Sequence, residues 1–289
     1  MDLFIIILSP EQHSSFLSAQ IKLGLSHAMR LKYYQVDAFS SRVFGGNPAG
    51  VCPLERWLPD EILQHIAAEN NLSETAFFTR GPDTLSLRWF TPAMEVDLCG
   101  HATLAAAHVL FSELGHTESI LRFETRSGLL TAIRRDDLIE LDFPARLPIT
   151  CAAPENLVKG LGLRPREVLK SRDYVAVFDS QAEVASLAPD MNLLAQLDCL
   201  GIIVTARGGD ADFVSRFFAP RAGIPEDPVT GSSHSSLIPF WAERLGKSEL
   251  FARQISRRGG EISCRHLGER VGIGGRAVVY SRGEIEVPV

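Results

Sequence analysis

Residues 88–103 read RWFTPAMEVDLCGHAT, and residues 216–233 read RFFAPRAGIPEDPVTGSS. Each stretch opens on Arg, an aromatic pair and a proline two residues on, then reaches a Gly that enters an apolar segment. That segment runs from Gly100 to Gly115 in the first copy and from Gly231 to Gly246 in the second. Arg88 and Arg216 lie 128 positions apart, whereas Gly100 and Gly231 lie 131 apart, so the second copy carries three extra residues between strand and helix. A unit written twice predicts two similar domains facing each other.

Working outward, the chain alternates strand-like and helix-like segments in the same order in both halves. Residues 33–39, 75–79 and 85–90 alternate in the manner of strands. Gly45-Gly46-Asn47-Pro48 breaks both periodicities and reads as a loop. Apolar residues at helical spacing predict a helix over 59–69, and a second helix over 101–114 ends at Gly115. Residues 120–124, 129–134 and 138–143 read as a meander. The Pro- and Ala-rich stretch 144–154 reads as a linker. Beyond it come a strand at 174–179 mirroring the first, a helix near 190–197, strands at 200–205 and 212–218, a helix over 232–245, and strands to the end. The expected domains are 31–147 and 150–275, with 276–289 a candidate to return to the first. Residues 1–30 read as an extension outside the fold. The Ala-rich helix 102–107 is apolar nearly all round, which fits a sheet wrapped on a buried central helix.

Composition narrows the class. The chain has 289 residues, 45% hydrophobic and 22% charged, with net charge −6. That fits a globular protein with sizeable cores. The densest basic run, Arg253 to Arg265, contains Glu261 and reads as a solvated face, so no nucleic-acid footprint is expected. Five cysteines without a CxxC pair predict reduced thiols and a cytoplasmic setting. The apolar run Leu3–Leu8 is far short of the ~20 residues a membrane helix needs, and no signal peptide is expected.

Two strand-to-helix junctions carry the first chemistry. The leading N–H groups of a helix lack partners and carry partial positive charge. Two such ends facing one cleft, at Gly100 and Gly231, would hold an anion, most simply a carboxylate. Each junction also reads as ordinary helix entry, with Ser232 or Ser233 as a routine N-cap. By residue type alone, Glu74 is a loop glutamate, His101 a helix N-terminal histidine and Asp227 a turn residue. His101 and His108 lie seven apart without an HExxH pattern, so no metal is expected. Gly272-Ile273-Gly274-Gly275 lacks the spacing of a dinucleotide fingerprint.

Four separated motifs change those readings: GGNPAGV (45–51), NNLSETAFF (70–78), FTPAMEVDLCGHAT (90–103) and EDPVTGSSH (226–234), with the chain closing on GEIEV (283–287). Over residues 31–289 the chain resembles the PhzF phenazine-biosynthesis-like family. The resemblance implies an α+β, diaminopimelate epimerase-like fold. Two domains related by pseudo-twofold symmetry each wrap a mostly antiparallel or mixed sheet around a central helix. It implies a cofactor-independent isomerase that moves a proton on a small carboxylated, cyclic metabolite, and it suggests a homodimer. Carried over by motif, the general acid/base falls on Glu74, with His101, Asp227 and Ser232 completing the catalytic set. Substrate contacts are expected from Asn47 and, at the helix entries, from Gly100, Ala102, Thr230, Gly231 and Ser233. The chain departs from the family after Ser232, where Ser233-His234-Ser235-Ser236 replaces small apolar residues.

The two copies differ at one telling position. The same fold supports racemases in which a Cys from each half flanks the substrate carbon. Here Cys99 stands in the first half and Thr230 in the second, which disfavours two-thiol stereoinversion. Cys99 reads as a buried structural thiol. The rivals are a racemase or epimerase that uses Cys99 with a different partner, and a non-catalytic metabolite-binding protein.

Overall fold

The computed structural model describes residues 28–81 and 84–288. Of the expected extension 1–30, residues 1–27 lie outside the described residues. The described residues from 32 to 283 form one compact unit, and residues 28–31 with 284–288 belong to a second. Within the latter, exposed Arg30 lies 4.0 Å from Glu284 and 3.8 Å from Glu286.

The first half runs β1 (Ala28–Ala38), β2 (Asn47–Leu54), α1 (Asp60–Asn70), β3 (Glu74–Arg80), β4 (Leu85–Phe90), β5 (Glu95–Val96), α2 (Gly100–His108), β6 (Ile120–Thr125), β7 (Gly128–Arg135) and β8 (Leu138–Pro144). The second half runs β9 (Ile149–Thr150), α3 (Glu155–Leu161), β10 (Glu167–Lys170), β11 (Tyr174–Val177), α4 (Gln181–Ser186), α5 (Met191–Leu194), β12 (Ile202–Arg207), β13 (Phe213–Phe218), α6 (Gly231–Leu245), β14 (Glu249–Gln254), β15 (Gly260–Leu267) and β16 (Arg270–Gly275). The strand β17 (Ala277–Pro288) closes the chain.

Both halves pair by one rule. β1–β2 and β10–β11 are antiparallel, β2–β3 and β11–β12 parallel, and β3–β4 and β12–β13 antiparallel. β4–β6 and β13–β14 are parallel, each pair spanned by the buried helix. Antiparallel meanders β6–β7–β8 and β14–β15–β16 follow, and the two last strands join, with Ile273 opposite Leu141. The fold is the pseudo-symmetric α+β arrangement of the diaminopimelate epimerase class.

This pairing corrects the mirror drawn from sequence. Strand β11 lies parallel to β12 as β2 lies parallel to β3, so residues 174–177 answer to β2. The counterpart of β1 is β10, which residue periodicity alone does not reveal because it is only four residues long. Likewise Asn47–Leu54 is a strand although it opens on the Gly-Gly-Asn-Pro loop, since pairing with β1 and β3 overrides local preference. The expected linker holds β9, and α3 begins directly after it.

Helix α2 is buried along Gly100–Ala107, so its Ala-rich sequence lets strands approach from several sides. Its α-helical ladder stops at His108. The expected helix then continues as a π turn over Val109–Glu113, before Gly115 adopts φ 65°. Helix α6 contains Pro239, which cannot donate to the carbonyl of Ser235. The Arg146 N–H, from the connection between halves, bonds that carbonyl at 2.9 Å instead.

The three extra residues of the second copy are now visible. Arg88 grips Glu95 through two bonds of 2.7 and 2.8 Å, and Arg216 grips Glu226 through two of 2.7 and 3.0 Å. The insertion lies between these partners and forms a short 3-10 turn at Pro220–Ala222.

Candidate active site

The two buried helices meet at their entries. A Cβ built on Gly100 would lie 3.4 Å from the Cα of Gly231, and one built on Gly231 would lie 3.5 Å from the Cα of Gly100. The glycines are therefore where the two halves approach backbone to backbone. Cys99 and Thr230 are the N-cap residues of α2 and α6, and neither side chain caps its helix. The N-cap is thus Thr230 rather than Ser232 or Ser233, and its hydroxyl is spent elsewhere: it donates to the Asp227 carboxylate.

Around this junction the fold gathers side chains far apart in sequence. Glu74 is the first residue of β3 and keeps 14% of its side chain exposed. Its Oε2 lies 3.1 Å from His101 Nε2 on α2. Neither atom has an aligned hydrogen-bond partner, so the contact is ionic and off-line. His101 Nδ1 lies 3.5 Å from Cys99 Sγ and 3.2 Å from Asn47 Nδ2. Fully buried Asn47 bridges the halves, donating to Asp227 Oδ1 at 2.8 Å and to the Val229 carbonyl at 2.9 Å, while accepting from Ser73 Oγ at 3.2 Å. An amide nitrogen has two hydrogens, and these short bonds use both. The imidazole Nδ1 therefore carries its own hydrogen toward the Cys99 sulfur.

Charge follows from geometry. Burial alone would push His101 toward its neutral form. Cys99 and the Glu74 carboxylate outweigh that effect and hold its pKa well above the usual histidine range. The Cys99 thiol is pushed up to about 11, first by burial and then by Glu74, so it is neutral near pH 7. Glu74 is then the charge that keeps His101 protonated. Burial raises Asp227 to about 6 against the opposing pull of His101, Thr230 and Asn47.

The remaining sequence-derived candidates divide. Ser232, the second residue of α6, is partly exposed and makes no side-chain hydrogen bond among the described residues. Ala102 is fully buried and offers only backbone. The Ser233 hydroxyl turns back to donate to the Thr230 carbonyl at 2.8 Å, so its side chain braces the helix entry. Three contributors were not among the expected site residues. Ser73 holds Asn47. Gln254 donates to the Asp227 carbonyl at 2.8 Å and accepts from Thr230 N–H at 2.9 Å. His234 sits 2.9 Å from the Thr230 carbonyl through Nδ1. Gln254 has no motif signal, because it matters only through contacts made after folding, whereas His234 ends the EDPVTGSSH motif and stands in the stretch that departs from the family. Ser73 lies within NLSET yet is overshadowed by Glu74.

Donor atoms of Glu74, Cys99 and His101 all lie within 4.8 Å of one another. His101 presents Nε2 to Glu74 and Nδ1 to Cys99, so an ion would have to displace one of those contacts. The set fits proton handling better than ligation.

His234 also makes a stability prediction. Since a carbonyl only accepts, Nδ1 carries the hydrogen, and Nε2 is left buried without a partner. Burial lowers the pKa to about 4, against 6.5 for a free imidazole. Between these values the unfolded chain binds a proton that the folded chain refuses. The contribution is therefore whole above pH 6.5 and lost as pH falls toward 4. Urea unfolding of wild type and His234→Gln should show the stability difference changing against wild type by up to about 3 kcal/mol across that window. Parallel curves would refute the assignment.

Among the described residues, no helix is long and apolar enough to cross a membrane. Residues 36–283 match the family of phenazine biosynthesis-like proteins, PhzC-PhzF. An uncharacterized isomerase of Pseudomonas aeruginosa is 52% identical over 259 residues, covering 90% of this chain and 100% of the relative. The crystal structure of a PhzF-family phenazine biosynthesis protein from Enterococcus faecalis is 46% identical with a TM-score of 0.87, covering 89% of this chain and 99% of that one. A hydroxyproline epimerase from Agrobacterium vitis, 11% identical with a TM-score of 0.58 over 92% of this chain and 95% of its own, shares the fold alone. The four motifs, the repeated topology and these matches agree: the chain belongs to the phenazine biosynthesis-like PhzC-PhzF family and is an isomerase.

Proposed function

We propose that the protein shifts a double bond in a small carboxylated, cyclic metabolite without a cofactor, with Glu74 taking a proton from one carbon and returning it to another. The observation that carries this reading is the pairing of Glu74 with His101 at the junction of the two helix entries. A mostly buried carboxylate, 14% exposed and facing an imidazolium through one oxygen, is a usable proton shuttle. His101, held cationic, neutralises the carboxylate and orients it. Asp227 and Asn47 tie the second half to that pair, and Ser232 offers a free hydroxyl to the substrate. The helix entries at Gly100 and Gly231 supply N–H groups for its carboxylate. Ile202 pairs with Phe218 as Thr75 pairs with Phe90, so the repeat equivalent of Glu74 is Gly201, which has no side chain, and acid/base chemistry works from one face.

Stereoinversion through Cys99 is the second reading, favoured by the 3.5 Å contact between its sulfur and His101. Two facts weigh against it. The thiol is raised to about 11, and its repeat partner is Thr230. NMR of candidate carboxylates in D2O distinguishes the readings. Deuterium at a new carbon, retained in Cys99→Ser and lost in Glu74→Gln, supports isomerisation. Exchange at an α-carbon, lost in Cys99→Ser, sinks it.

A pH prediction follows. With the ionised form of Asp227 required to hold Asn47 and Thr230, activity should fall on an acidic limb near pH 6. A rate flat from pH 7.5 to about 5 would exclude Asp227 as the titrating group.

A further inference from the structure

The basic run that begins at Arg253 reads in sequence as a solvated face, and the fold shows that part of this face is concave. Arg253, Arg257 and Arg258 line a cavity of about 640 Å³, facing Arg42 from the loop before β2. That volume suits a metabolite. None of Glu74, His101, Asp227 or Ser232 lines it. Glu261 is the one acid among its lining residues.

The four guanidinium groups are not equivalent. Arg258 is committed to structure, donating to Asp37 at 2.8 Å and to the carbonyls of Gly45 at 2.9 Å and Gly46 at 2.8 Å. Arg253 is engaged by Asp210 and, at 3.3 Å, by Glu261. Arg42 and Arg257 have no acidic partner among the described residues, and both are exposed. Two unpaired guanidinium groups lining one cavity attract an anion and bind phosphate or carboxylate in bidentate fashion. Ser256 anchors the loop beneath them by donating to the Pro228 carbonyl at 2.7 Å.

We propose that this cavity is a second ligand site, which takes a small, multiply charged anion bearing phosphate or carboxylate groups. The cavity borders residues that hold the acid/base centre. One wall leads through Gly45 and Gly46 to Asn47. The other contains Gln254, which holds both Asp227 and Thr230. An anion joining Arg42 to Arg257 ties these two walls together. The proposal stands apart from the reaction assigned to Glu74.

Calorimetric titration of the full chain with pyrophosphate and with citrate tests it, using the two as phosphate and carboxylate probes. At low salt, one saturable site is expected for at least one probe, weakening as salt rises. The double variant Arg42→Ala/Arg257→Ala should bind about tenfold or more weaker. Both side chains are exposed, so its melting temperature without ligand should match wild type. Glu74→Gln should bind as wild type does. Absence of saturable binding up to about 10 mM overturns the proposal. So does equal binding by the double variant, or loss of binding in Glu74→Gln alone.

Discussion

Replacing Glu74 by Gln should reduce proton transfer by about 10³-fold while leaving the fold intact. The amide has nearly the same shape as the carboxylate and occupies the same first position of β3. It cannot accept a proton at working pH, and it removes the negative charge facing His101. Deuterium incorporation into the turned-over carboxylate, followed by NMR, measures the loss. Circular dichroism and the melting temperature provide the control for folding. A second signature comes from His101. Its raised pKa depends on the Glu74 charge, so its imidazole resonances should titrate at lower pH in the variant. Full activity in a folded Glu74→Gln protein would remove the general base from the mechanism. An unchanged His101 titration would show that the two side chains are not electrostatically paired in solution.

The second large effect is expected at Asn47. Its amide nitrogen joins the first half to Asp227 and Val229 of the second. Asn47→Ala leaves buried acceptors unpaired on both, at a cost of about 3 kcal/mol in unfolding free energy. Denaturant titration measures that loss. The donor also helps hold down the pKa of Asp227, so the acidic limb of the activity profile should move above about 6 in the variant. A stability change without movement of the limb would make Asn47 a structural bridge only. No change in either would refute its place in the network. Gly46 is the companion constraint. It adopts φ 63°, and a Cβ there would come within 2.1 Å of the Ala38 carbonyl. The turn that delivers Asn47 therefore admits little but glycine.

These effects differ in how far each was legible in advance. Glu74, His101 and Asp227 sit in short motifs, so their importance can be read from a linear string once the resemblance is recognised. The repeat was legible as well, because each copy spells Arg, an aromatic pair, Pro and a helix-opening Gly in order. The four-residue strand β10 and the strand β2 were not. Their local sequences are short or broken by Gly and Pro, and only pairing partners distant in the chain stabilise them. The same holds for Gln254, an ordinary residue type that acquires its role through Asp227 and Thr230.

By itself, the sequence determined the duplication, the three-residue insertion and the replacement of Cys99 by Thr230 in the second copy. Those are properties of order and spacing, which a string contains in full. Tertiary structure alone decided that Gly100 and Gly231 touch. It also decided that Thr230 gives its hydroxyl to Asp227 rather than to its own helix, and that the arginines after β14 face Arg42 across a cavity. The Thr230–Asp227 bond spans only three positions and is set where the helix entry folds, whereas the other two depend on distances between residues far apart in the chain. Such distances exist only once β8 and β16 have joined the two halves and burial has changed the charges between them.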